Sequence, residues 1–203
     1  AVLEDELYRF IKVLLGVEND EIEDSVIELK AKGEIVIEER EDNNWIYLDS
    51  YYKAEENVAN KLITLDKARN MKHINDFEDE LEKIEQKTDL ILSDKQKEAI
   101  EAVNDNNVCI ITGGPGTGKT TIIKVILELY KSKKRKTVLC APTGRAAKRM
   151  TETTGEEAKT LHRLLEIGKI EEERTSKYND FDVAPLDADV IIVDEMSMVD
   201  LFL

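Results

Sequence analysis

Apolar side chains recur at Leu3, Leu7, Phe10, Ile11 and Leu14, the spacing of one helical face, and Gly16 stands where that helix would end. A second face follows with Ile22, Val26, Ile27 and Leu29. Asp20, with Glu23 three residues on, reads as its capping box, and Lys32-Gly33 as its close. The pattern then shifts to two β-type runs, 35–37 and 45–48, across the polar turn 41–44, which predicts a hairpin. Helix, helix, hairpin is the order of a winged-helix unit lacking its first helix. Residues 54–65 form another helical stretch, while 70–89 are highly charged and weakly periodic, a linker helix or loop. From Leu92 short apolar strands alternate with helices, the mark of a parallel α/β sheet. The expected division is a winged-helix-like α+β domain over 1–66, a charged linker over 67–90 and an α/β domain over 91–203.

Composition changes this picture little. The 203 residues are 41% apolar and 36% charged, which suits a folded chain. No apolar run is long enough to span a bilayer, and the start lacks a basic and then apolar leader, so the reading is no membrane and a cytoplasmic location. Cys109 and Cys140 each sit in a short apolar run and are expected to be buried as small hydrophobes. Without a C-x-x-C pair, neither suggests zinc or redox chemistry.

The net charge of −15 argues against nucleic acid as a partner, but it is unevenly spread. Residues 1–90 carry 25 acids and 12 bases, a net of −13; residues 91–203 carry 19 and 17, a net of −2. A nearly neutral second half can still hold a local basic groove.

The strongest chemical signal is Gly113-Gly114-Pro115-Gly116-Thr117-Gly118-Lys119-Thr120, a full G-x-x-x-x-G-K-[ST] phosphate loop. An apolar strand is expected before it, over 108–112, and a helix after it, over 121–130. Glycines let the backbone wrap round phosphate oxygens, and the helix N-terminus adds positive potential. The nucleotide contacts fall on Gly114, Pro115, Gly116, Thr117, Gly118, Lys119, Thr120 and Thr121. Lys119 would reach the β- and γ-phosphates of ATP, and Thr120 would ligate Mg²⁺. The partner motif is Val190-Ile191-Ile192-Val193-Asp194-Glu195. Its four apolar residues predict a buried parallel strand. Asp194 would hold Mg²⁺ through water, and Glu195 would polarise the attacking water as general base.

Other segments leave two readings open. Ser93 is a good N-cap for a helix from Asp94, while Gln96 could instead read an adenine edge with its amide. The segment 140–149 follows a strand expected over 137–141. Thr143, Gly144 and Arg145 could grip the phosphates of a single strand, or simply form a strand-to-helix turn ahead of a basic helix. His162, beside apolar residues, fits a packed core position. His73 carries no functional expectation, and the Lys131 to Lys136 cluster reads as a solvated helix end.

Taken in order, Leu92-Ser93-Asp94-Lys95-Gln96, the phosphate loop, Ala141-Pro142-Thr143-Gly144-Arg145-Ala146-Ala147, Thr160-Leu161-His162-Arg163-Leu164-Leu165 and Asp194-Glu195-Met196-Ser197-Met198-Val199-Asp200 resemble superfamily 1 helicases of the RecD type. The front part is similar to that family's N-terminal region, less specifically, through Tyr52-Lys53-Ala54-Glu55 and Val58-Ala59. The resemblance implies an α/β fold with a RecA-like P-loop parallel sheet, here a partial motor domain. It implies an ATP-driven 5′-to-3′ helicase or translocase acting on single-stranded DNA and duplex ends. It assigns Gln96 to adenine, Lys119 and Glu195 to catalysis, Thr120 and Asp194 to the metal, and Thr143, Gly144, Arg145 and His162 to single-stranded DNA. Met196 stands where many relatives have a smaller residue. The family's later motifs, second motor domain and arginine fingers lie beyond this sequence. The expectation is therefore a chain that binds nucleotide, scarcely hydrolyses it and does not unwind DNA.

The alternative is a P-loop ATPase of another class, uncoupled from DNA. Against it, the sequence has no Asn-Lys-x-Asp for guanine and no Leu-Ser-Gly-Gly-Gln signature. The front domain is expected to serve as a scaffold or protein-docking module, since Glu21, Glu23, Asp24 and Glu28 on its second helix would repel DNA phosphates.

Overall fold

The computed structural model describes residues 1–68, 73–167 and 185–203. Residues 69–72 of the expected linker lie outside them. Two compact units emerge, one built from Ala1–Thr64 and the other from Leu65–Leu201.

In the first unit, β1 (Val2–Leu3) leads into α1 (Glu4–Leu15) and α2 (Asn19–Ala31), then the hairpin β2 (Ile35–Arg40) and β3 (Asn43–Leu48), then α3 (Asp49–Asp66). The sheet is antiparallel in the order β1-β3-β2. Ile22, Val26, Ile35 and Ile46 form its buried core, with Leu7, Tyr8 and Ile11 of α1 packed against them. Gly16, at φ 70°, closes α1 by donating its N–H to Lys12 O, as a left-handed C-cap does.

Three expectations change here. α2 is capped by the backbone of Glu18, so Asp20 lies inside the helix and makes no capping box. The hairpin turn is tighter than the polar run suggested. Only Glu41 and Asp42 lie outside the strands, both at positive φ (50° and 60°), the geometry that matches strand twist in a two-residue turn. β1 went unforeseen because two residues carry no periodicity; its pairing Val2↔Ile46 is set by a strand more than forty residues on.

The second unit contains α4 (Phe77–Thr88), α5 (Asp94–Asp105), α6 (Lys119–Ser132), β4 (Thr137–Ala141), α7 (Gly144–Thr154), β5 (Ala158–Thr160), α8 (Leu161–Leu164) and β6 (Val190–Val193). Its sheet is parallel, in the order β5-β4-β6, with Leu139 opposite both Ala158 and Ile192. This is an α/β P-loop fold. The charged stretch before it is a helix, α4, and not a free tether: Leu81 and Ile84 are buried with Ile100, Val125, Ile126 and Leu129 of α5 and α6. Its polar residues hold it further, since Glu85 accepts from both Leu92 N (2.9 Å) and Lys97 Nζ (2.9 Å). Those contacts hold the Glu85 carboxyl below the usual carboxylate range, Lys97 contributing most.

Two strand expectations need correction. Residues 108–112 join no ladder among the described residues, and Ile110 is 89% exposed. With no strand alongside, an extended backbone has no ladder partner to define it. β6 forms as expected but is not buried: it is the edge of the described sheet, and Ile191 is half exposed. Cys140 is fully buried, as expected, whereas Cys109 is exposed, on a segment with no strand beside it among the described residues. No helix among the described residues is long and apolar enough to cross a membrane.

Candidate nucleotide-binding site

The phosphate loop is a turn fixed by glycine conformation and closed by its own side chains. Gly116 and Gly118 take φ of 77° and 88°, where L-residues are strained. Thr117 Oγ1 donates to Gly114 O at 2.9 Å. A Cβ on Gly113 would lie 2.7 Å from Thr117 Oγ1 and would force that hydroxyl off Gly114 O. Lys119 folds back over the loop, and its Nζ donates to Gly113 O (2.6 Å) and Gly114 O (2.9 Å). An ammonium held on two carbonyl oxygens at a helix N-terminus is poised to exchange them for phosphate oxygens, which bind it more strongly because they are charged.

α6 starts at Lys119, two residues earlier than expected, with Gly118 as its N-cap. Its first intrahelical bond runs from Ile122 N to Gly118 O at 3.0 Å. The amides of Lys119, Thr120 and Thr121 therefore open the helix ahead of that bond, the orphan donors that anions exploit. The helix itself is firmly seated: Ile122, Val125, Ile126 and Leu129 are at most 5% exposed.

Strand ends set the rest of the site. Ala141 and Thr160 are register partners, and Cys140 pairs with Val193, so β4, β5 and β6 all end on one edge of the sheet. That edge is where ligands bind open parallel sheets. Asp194 extends the ladder by donating its N–H to Cys140 O at 3.0 Å, and its Oδ1 accepts from Glu195 N at 2.9 Å. Glu195 follows at φ 54°, ψ 40° and leads into a 3₁₀ turn over Met196–Met198. A non-glycine residue in this left-handed region costs about 1–3 kcal/mol, and here it turns the chain sharply at the end of β6. The oxygen donors Thr120 and Asp194 suit Mg²⁺, a hard cation that keeps several waters and takes further ligands from phosphates. No cluster of three or more His, Cys, Asp or Glu exists among the described residues.

The expected DNA contacts fall on the same edge of the sheet. Thr143 is the N-cap of α7, its Oγ1 accepting from Ala146 N at 3.2 Å, so its hydroxyl is already engaged in the turn. Gly144 and Arg145 are exposed, while Ala147 and Met150 form the buried face of α7. His162 lies on α8 and is exposed, which removes the packed-core reading. His73 is structural: Nδ1 lies 3.1 Å from Asn104 O, next to the bond from Ile74 N to Asn104 Oδ1.

Gln96 shows something that residue-type reasoning missed. It stands at the third position of α5, and its amide bonds both Ser93 N and Thr117 O. The Ser93-x-x-Gln96 spacing is a capping-box pattern and signals the first contact; the second is visible only in three dimensions. A cavity of about 840 Å³, lined by Ile84, Lys87, Thr121, Lys124, Thr137 and Gly155 among others, meets the expected nucleotide contacts only at Thr121.

The AAA domain family model matches residues 96–203, over half of the chain. Among curated proteins, the ATP-dependent RecD2 DNA helicase of Deinococcus radiodurans is 41% identical over 107 residues, covering 53% of this chain and 14% of the relative. The RecBCD enzyme subunit RecD of Buchnera aphidicola subsp. Acyrthosiphon pisum is 36% identical over 180 residues, covering 78% and 28%. That of Mycobacterium tuberculosis is 32% identical over 185 residues, covering 80% and 30%. The chain thus spans less than a third of the length of each of these relatives. With the family model, the phosphate loop and the Asp194-Glu195 strand end in agreement, the chain belongs to the AAA domain family, in its RecD-type branch.

Proposed function

We propose that this chain forms the nucleotide-binding part of an ATP-driven DNA helicase that moves 5′ to 3′ along a single strand. The observation that carries the reading is the pose of Lys119, held across Gly113 and Gly114 at the N-terminus of α6. In this reading Lys119 leaves the two carbonyls for the β- and γ-phosphates. The backbone of residues 114–118 and the amides of Lys119, Thr120 and Thr121 wrap the phosphate chain. Thr120 and Asp194 hold Mg²⁺, which when bound neutralises phosphate charge. Glu195 takes the proton of the attacking water. Arg145, with Thr143, Gly144 and His162, contacts the DNA backbone beside the same sheet edge, and Gln96 reads adenine. Direction of travel and duplex-end binding rest on the likeness to RecD-type relatives. The acidic first unit serves as a protein-docking module, because its net charge disfavours phosphate.

The test is ATP turnover by the full-length protein with and without a single-stranded DNA oligonucleotide, with Glu195→Gln as control. Stimulation by DNA that the control abolishes supports a DNA-driven motor. Turnover indifferent to DNA moves the protein to another class of P-loop ATPase.

A further inference from the structure

The side-chain amide of Gln96 is used twice inside the protein. Its Oε1 accepts from Ser93 N at 2.9 Å, and its Nε2 donates to Thr117 O at 3.2 Å. The first bond closes the start of α5. The second reaches the phosphate loop, 21 residues further along the chain. A primary amide has two N–H donors and an oxygen with two lone pairs. One donor and one acceptor therefore remain on the same planar group, which is only half-buried. That is the complement of a purine edge presenting an amino donor beside a ring-nitrogen acceptor.

The loop side of this contact is crowded. Gly118 sits at φ 88°, and a Cβ built on it would collide with Gln96 Nε2. The backbone conformation disfavours a side chain at position 118, and one placed there would push the Gln96 amide off Thr117 O. Thr117 and Gly118 immediately precede Lys119, so whatever fixes Thr117 O also fixes where α6 begins and where its amides point.

We infer that Gln96 is a positioning residue for the phosphate loop as well as a reader of the base, so that a single amide joins the two halves of nucleotide recognition. This rests on the proposal that the loop holds a nucleoside triphosphate. Its consequence is specific: removing the Gln96 amide weakens binding of a triphosphate that carries no base at all.

The experiment is equilibrium binding of Mg-ATP, Mg-GTP and inorganic Mg-tripolyphosphate to the chain and to its Gln96→Ala variant. Tripolyphosphate affinity falls by about 2- to 10-fold, the size of one net hydrogen bond, while ATP falls further and loses its advantage over GTP. Unchanged tripolyphosphate affinity with a fall for ATP alone overturns the inference and leaves Gln96 as a base reader only. If the unsubstituted chain binds neither ATP nor tripolyphosphate, the nucleotide reading itself fails. A second variant guards against damage to α5. Gln96→Glu keeps an acceptor for Ser93 N and loses the donor to Thr117 O. In ligand-free amide hydrogen exchange it speeds exchange at Gly118 and Lys119 and leaves β4 unchanged; unaltered exchange at those two amides overturns the inference.

Discussion

Residues 108–112 and β4 are both short apolar runs, and each holds one of the two cysteines. β4 is paired on both edges, and Leu139, Cys140 and Ala141 are at most 2% exposed. The run before the phosphate loop pairs with nothing among the described residues, and only Ile111 packs partly against the core. Both runs have the composition of a strand. What separates them is cover: β4 receives neighbours that arrive about 20 and 50 residues later in the chain. The two halves of the site inherit this contrast. Asp194 is held by a sheet ladder, whereas the phosphate loop is held by the side chains of Gln96, Thr117 and Lys119.

The largest expected difference is chemical. At pH 8 a thiol reagent should modify Cys109 at least ~10³-fold faster than Cys140, because Cys140 reacts only when the unit opens. Burial also pushes the Cys140 thiol up to about 11, which keeps its reactive thiolate scarce. Similar rates in a labelling time course would mean that β4 is as open as its counterpart. In urea unfolding, Leu139→Ala should cost about 2–5 kcal/mol, the range for a truncated buried leucine, while Ile110→Ala should stay within about 0.5 kcal/mol. A large loss from Ile110→Ala would reveal cover on the 108–112 run.

The next effect tests the side-chain wiring. Lys119→Ala should weaken ATP binding by about 10- to 100-fold by titration calorimetry, the loss of one or more charge-assisted hydrogen bonds. It should leave the urea midpoint nearly unchanged, since Lys119 supports the loop and not the ladder. A midpoint drop as large as that of Leu139→Ala would merge the two halves. The smallest effect is at Glu85. Its folded-state pKa lies below the unfolded value, so its stabilisation is fully present above the ordinary carboxylate range and is lost as pH falls through the lowered value. Glu85→Ala should cost on the order of 1 kcal/mol at pH 7, and its gap from the unsubstituted chain should close in acid. A gap independent of pH would point to packing instead.

Much of the site was legible because its signals are local. Gly113 to Thr120 announce a tight loop ahead of a helix by residue type, though the helix begins two residues earlier than expected, and Val190–Val193 reads as a strand leading to Asp194. β4 and α7 were legible too, since a short apolar run gives way to a turn ahead of a basic helix; the Thr143 cap is visible only in the structure. What escaped is non-local. No periodicity reports that 108–112 joins no ladder among the described residues, that Ile191 is half exposed, or that Leu81 and Ile84 convert a charged stretch into core. Gln96 offered two local readings, and the structure adds a third that only the approach of α5 to the phosphate loop creates.

The position of β6 at the margin of its sheet has a practical consequence. Among the described residues its outer row of backbone N–H and C=O groups joins no strand, and such a row, beside the half-exposed Ile191, is a template on which another extended chain can add. The exposed Ile110 offers a second sticky strip. Concentrated solutions of this polypeptide should therefore self-associate with time, and Ile191→Lys should keep them clear, as turbidity would show.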